Sequence, residues 1–305
     1  MTAKGVINCM SEERCTLESA CKTIDELQTY LSKKAVNHRS YKHYVPDIER
    51  IHNIYHEGAL FLTDGSNWND PNDKVIFTGQ SDLKDGHKNY GLCMSYSRSE
   101  SVAMWMLYGG LKKRGAMIDI NQRNVKQLLN ISDPPRVELG NFEGGQWNSI
   151  LELNRSEYKV KLMDVLYYDA NDDKNKIINN ENMLWYNIKR SDETCQCKRD
   201  VIDNAVLLQK KVWAWNYENE CRLIISVRTK RIIAEENSNI TVARVEFPDK
   251  KLFEKDVRNK IILAPNFQEN VIEENDFSFK KSLLKIDWDL CKGCSKDDSF
   301  LLWKQ

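Results

Sequence analysis

The densest chemistry in this chain lies in Lys211-Val212-Trp213-Ala214-Trp215-Asn216-Tyr217-Glu218-Asn219-Glu220-Cys221-Arg222, which runs straight into the apolar triplet Leu223-Ile224-Ile225. A run of that kind reads as a strand. On a strand, alternate side chains share a face, so Glu218, Glu220 and Arg222 project together. Two carboxylates and a guanidinium beside tryptophans make either a buried ion network or a polar cleft.

Three further clusters carry polar chemistry. Ser95-Tyr96-Ser97 ends an apolar run, with Trp105 following on a predicted helix; hydroxyls at a strand end hold a ligand's polar groups and an indole supplies a flat apolar wall. Tyr41-Lys42-His43-Tyr44 places a histidine in a short strand among aromatics, where it is either a satisfied structural group or a ligand contact. Asn69-Asp70-Pro71-Asn72-Asp73 builds a turn whose Asx side chains bond their own backbone, or offers a carboxylate pair. Two cysteine pairs, Cys195 with Cys197 and Cys291 with Cys294, have the types needed for a structural zinc, without the usual ribbon spacing.

These clusters need elements to hold them. Leu17, Ala20, Ile24, Leu27 and Leu31 recur at helical spacing and predict a packing or partner-binding helix ahead of the main domain. Strands are predicted at Ser40–Val45, Ala59–Thr63, Tyr90–Ser95, Ala116–Ile120, Tyr158–Tyr168, Cys221–Val227, Ile240–Phe247, Lys260–Leu263 and Phe277–Trp288. Helices are expected after Asp47, ending at Gly58; after Ser99, through Met104, Trp105 and Tyr108; over Asn121–Asn130; and over Arg199–Lys211. Gly140–Trp147 reads as loop and Asn171–Asn182 as a solvated excursion. The organisation is then a helical segment over residues 1–36, one α+β domain over 37–290 and a tail over 291–305.

Composition narrows the functional classes. Of 305 residues, 45 are Lys or Arg and 45 are Asp or Glu, so the formal charge is zero. That argues against a wholly basic nucleic-acid or membrane-binding surface. The longest largely apolar uncharged run, Ser101–Leu111, is about half the roughly 20 residues that span a bilayer. Met1–Ile7 lacks the apolar stretch of a secretory signal, and the expected address is the cytoplasm.

Taken together, the chain resembles an uncharacterised bacterial family, a domain of unknown function often associated with defence and abortive-infection genes. The resemblance rests on Tyr41 with His43; Asn69 to Asp73; Ser95 to Ser97 with Met104, Trp105 and Tyr108; Val165 with Tyr167; and Lys211, Trp215, Glu218, Glu220 and Arg222. That family is in turn similar to ADP-ribosyltransferase folds, which implies a split antiparallel or mixed sheet with flanking helices. It also implies NAD as substrate, no metal, and an unknown macromolecular acceptor.

Under the resemblance, Glu220, Glu218 and His43 are catalytic, with Glu220 stabilising the ribose cation and Glu218 orienting or deprotonating the acceptor. Tyr44, Ser95, Tyr96, Ser97, Trp105, Lys211, Trp215 and Arg222 contact the dinucleotide, while Asn69, Asp70 and Asp73 are further family positions. The reading requires His43, Ser95 and Glu220 to line one cleft. A rival is a metal-dependent nuclease, with Asp70, Asp73, Glu218 and Glu220 around a divalent ion and Lys211 on a phosphate. A third is a non-catalytic module that senses a nucleotide or phage component and signals through its N-terminal helix.

Overall fold

The helical spacing that ends at Leu31 folds as α1 (Ile24–Ala35), with Leu31 and Ala35 buried. The computed structural model describes residues 24–66, 68, 87–109, 114–168, 176–179, 182–185, 210–212, 217–228, 230, 232, 240–248, 260–268 and 279–284. Among these, 24–27, 166, 168, 176–179, 182–185, 210–212 and 260 are described as backbone only. Leu17, Ala20, the turn Asn69 to Asp73, Trp215, all four paired cysteines, residues 199–209 and the tail 291–305 lie outside the described residues.

In β1 (Ser40–Val45), Tyr41 and Val45 enter the main core, while Tyr44 joins a second apolar cluster. This alternation is the strand period. α2 (Glu49–Glu57) ends at Gly58, whose φ of 58° lets its N–H return to the Ile54 and Tyr55 carbonyls. Asp47 accepts the Glu49 N–H at 3.1 Å, although the cap position itself belongs to Ile48. β2 (Ala59–Thr63) and β3 (His87–Ser95) follow.

Ser101, rather than the expected Ser99, caps α3 (Val102–Met104): its Oγ accepts the Met104 N–H at 3.3 Å. The helix then widens into a π turn over Trp105–Gly109. β4 (Ala116–Asn121) leads into α4 (Gln122–Leu128), capped by Asn121.

The loop expected over Gly140–Trp147 is instead a hairpin of β5 (Val137–Glu143) and β6 (Gln146–Leu153). Gly144 and Gly145, at φ 58° and 85°, supply the left-handed pair that a tight hairpin turn demands. The single strand expected over Tyr158–Tyr168 breaks at Val165 into β7 (Tyr158–Asp164) and β8 (Leu166–Tyr168), which belong to different sheets. β9 (Lys176–Asn179), β10 (Asn182–Trp185) and β11 (Lys210–Val212) complete the smaller sheet, in the order β10-β9-β8-β11. Strand therefore occupies part of the expected excursion, and Lys210–Val212 is strand where a helix end was expected. β12 (Glu220–Arg228), β13 (Val242–Glu246), β14 (Lys260–Leu263) and β15 (Phe279–Lys281) close the described chain.

The larger sheet has 11 strands and forks at β3. β12 lies along one edge of β3 from Glu220 opposite Ser95 to Arg228 opposite His87. The other edge is shared: β1 meets it at Lys42 opposite Ser95, and β2 at Thr63 opposite Gly91. From there the arms β1-β4-β14-β15 and β2-β13-β5-β6 diverge. The architecture is α+β, a large, mostly antiparallel open sheet with few helices.

The two faces of β3 and β12 follow different rules. Tyr90, Leu92, Met94, Cys221, Leu223 and Ile225 turn into the main core, where each large apolar chain contributes roughly 1.5–3 kcal/mol. Ser95, Glu220 and Arg222 occupy the other face and are also buried. Charges there require partners, because a buried ion stripped of its partner costs about 3–5 kcal/mol.

Candidate functional site

Directly opposed residues on neighbouring strands share a face. The register sets Asp119 opposite Lys42, Lys42 opposite Ser95 and Ser95 opposite Glu220, so these four form one row across β4, β1, β3 and β12. Arg222 lies two residues along the same face. Lys42, Ser95, Glu218, Glu220 and Arg222 are at most 4% exposed.

Glu220 is fixed by both main chain and side chain. Its carbonyl accepts the Val165 N–H at 2.9 Å, and its own N–H donates to the Tyr167 hydroxyl at 3.0 Å. The break between β7 and β8 thus wraps around one residue, Glu220, which gives Val165 and Tyr167 a physical role. Arg222 closes on the carboxylate, Nε to Oε1 at 2.6 Å and Nη2 to Oε2 at 3.3 Å. The guanidinium also lies over the Trp68 ring, 5.0 Å from its centroid. Trp68 is itself anchored by Nε1 donating to Thr63 Oγ1 at 2.8 Å.

Glu218 sits in a short turn ahead of β12, so strand alternation does not place its side chain. Tyr108, carried by the π turn, donates its hydroxyl to Glu218 Oε1 at 2.5 Å. π turns recur at functional sites because they re-aim a side chain. Between the two carboxylates, Asn219 adopts φ 44°.

Ser95 and Ser97 form a second bracket. Ser95 Oγ accepts the Ser97 N–H at 3.4 Å, Asn219 Nδ2 donates to Ser97 Oγ at 3.1 Å, and Lys42 Nζ donates to the Ser97 carbonyl at 2.6 Å. Lys42 also bonds Ser40 Oγ at 3.3 Å and lies 3.9 Å from Asp119.

His43 is placed elsewhere. It neighbours Lys42 on β1 and therefore projects to the opposite face from Glu220. It wedges the fork, with Nδ1 2.9 Å from the Cys93 carbonyl two residues before β3 meets β1. A neutral ring makes that bond by carrying its proton on Nδ1. Burial pushes its pKa down to about 4, against the opposing pull of the Cys93 carbonyl and with the help of the Arg50 charge. His43, Ser95 and Glu220 do not line one cleft.

The aromatic contacts divide as well. Trp105 is fully buried in the second apolar cluster, its Nε1 donating to Glu100 at 2.9 Å and its ring edge-on to Tyr44 at 4.9 Å. The Tyr44 hydroxyl accepts the Ser101 N–H, and burial raises its pKa to about 12. Tyr96 turns from Ser95 to the other face and stacks on His38 at 3.9 Å. Lys211 is paired with Tyr167 through backbone register, and its side chain lies outside the described residues, as do Trp215, Asn69, Asp70 and Asp73.

Lys42, Trp68, Asp119 and Asn219 join this face without having been expected there. The alternation of β1 carried the signal for Lys42, since placing His43 on one face puts Lys42 on the other. The arrangement holds two carboxylates in a desolvated setting, one clasped by a guanidinium and one by a phenol, where electrostatic effects are larger than in water. Among the described residues, no three His, Cys, Asp or Glu side chains gather as metal ligands, and no helix is long and apolar enough to cross a membrane. The chain matches no family model, no curated protein and no solved structure.

Proposed function

We propose that the chain is an NAD-consuming enzyme, an ADP-ribosyltransferase or NAD glycohydrolase working at the Glu218–Glu220 face of a sheet of the ADP-ribosyltransferase kind. The observation that carries this reading is the pair of buried carboxylates in unequal settings, Glu220 against Arg222 and Glu218 against Tyr108. Cleaving the nicotinamide glycosidic bond leaves positive charge on the ribose, and a preorganised carboxylate stabilises it. Arg222 offsets the charge of Glu220 and fixes its position. Glu218, which accepts a hydrogen bond from the Tyr108 hydroxyl, faces the ribose cation.

The bonds balance simply. Nicotinamide leaves with the glycosidic electron pair, the acceptor oxygen or nitrogen bonds to the ribose carbon, and the acceptor's proton passes to Glu218. The acceptor is water or a macromolecule. The cleft of His43, Ser95 and Glu220 that the transferase resemblance requires is not formed, because His43 projects to the other face of β1. The two carboxylates therefore carry the reading, with the row Lys42–Ser95–Glu220 as their polar wall, and His43 is assigned no part. On the family resemblance, such an enzyme would act as a toxin-like defence effector.

The closed Glu220–Arg222 pair also favours a second reading, a nucleotide-sensing module without turnover. One experiment separates them. Protein incubated with NAD labelled in the adenylate, with and without cell lysate, releases nicotinamide and labels a macromolecule or free ADP-ribose. NAD that binds and stays intact supports the sensor instead.

A further inference from the structure

We infer that Asn219 is a positioning residue whose left-handed backbone holds Glu218 and Glu220 in their working orientation. The inference rests on the NAD-consuming reading above and adds the device that aligns its two carboxylates.

Asn219 has φ 44°, the one positive value at a non-glycine position among the described residues. Asparagine tolerates this region better than other side chains, and alanine is disfavoured there. The turn it makes takes Glu218 out of the strand while Glu220 remains the first residue of β12. Were residue 219 extended, Glu218 would continue the strand, and its bond with Tyr108 would have no reason to persist.

Two bonds fasten the turn to the end of β3, and a third closes the turn on itself. The Asn219 carbonyl accepts the Tyr96 N–H at 2.9 Å, its Nδ2 donates to Ser97 Oγ at 3.1 Å, and Nδ2 lies 3.4 Å from the Tyr217 carbonyl. Ser97 is gripped in turn by Lys42 from β1. Asn219 thus ties the carboxylate segment to the end of β3 and, through Ser97, to β1. Its amide is bonded to Ser97 Oγ and directed to the Tyr217 carbonyl, and the role assigned to it is one of position.

The test compares Asn219→Gly, which keeps the left-handed backbone, with Asn219→Ala, which opposes it. Nicotinamide release is measured as kcat and KM for NAD, alongside amide exchange at Tyr96. Asn219→Ala is expected to lower kcat tenfold or more with KM within about threefold of wild type, and to speed Tyr96 exchange at least tenfold. Asn219→Gly is expected to recover kcat to within about threefold and to keep Tyr96 protected. Equal losses in both variants, or full kcat in Asn219→Ala, overturn the inference. If wild type leaves NAD intact, the NAD-consuming reading falls, and Tyr96 exchange alone decides the role of Asn219: three equal rates contradict it.

Discussion

Arg222 closes on the Glu220 carboxylate two residues earlier on the same strand, with Nε 2.6 Å from Oε1 and both side chains almost wholly buried. Removing the guanidinium leaves a carboxylate in a dry setting. Arg222→Met is therefore expected to cost about 3–5 kcal/mol in urea unfolding, and adding Glu220→Gln to it is expected to restore part of that. A double variant no more stable than Arg222→Met would contradict the pairing.

Tyr167 accepts the Glu220 N–H at 3.0 Å inside the protein. Tyr167→Phe removes that acceptor and leaves a buried amide without it. Stability is expected to fall by about 1–3 kcal/mol, and nicotinamide release to fall with it as Glu220 loses its anchor. Unfolding and turnover of the same preparation check both.

The His43 wedge predicts a pH dependence. Its pKa in the folded protein is about 4 against an ordinary 6.5, so between those values the unfolded chain binds the proton and the folded one does not. The stability due to His43 is fully present above pH 6.5 and is lost as pH falls toward 4. His43→Gln keeps a donor for the Cys93 carbonyl and has no such titration. The loss of stability between pH 7 and pH 4.5 is expected to be smaller in that variant than in wild type.

Gly115 lies so close to the end of the π turn that a Cβ there would fall 1.1 Å from the Gly109 carbonyl oxygen. The backbone at Gly115 or Gly109 must shift to admit it. Gly115→Ala is expected to destabilise by about 3 kcal/mol, read by thermal or urea unfolding, and to weaken turnover by moving Tyr108 off Glu218. Wild-type stability in Gly115→Ala would refute the contact.

Much of this arrangement is legible in the chain itself, in physical terms. Period-two alternation marks β1 and β12, and it places Glu220 with Arg222. Gly58 as a helix stop follows from its freedom at positive φ. The Gly144-Gly145 hairpin hides because two glycines mark a loop as readily as a tight turn, and only the pairing of Phe142 with Trp147 decides. Glu218 leaves the strand for a reason alternation does not contain, the left-handed Asn219. His43 is misjudged because the side of the fork it occupies depends on where β1 meets β3, a tertiary fact.

The most direct measurement is nicotinamide release from NAD by wild type and Glu218→Gln under the same conditions, with thermal unfolding confirming that both are folded. Steady release by wild type and a loss of about 100-fold or more in the variant are expected. A folded wild type that releases no nicotinamide, or a Glu218→Gln variant that keeps the wild-type rate, contradicts the NAD-consuming reading.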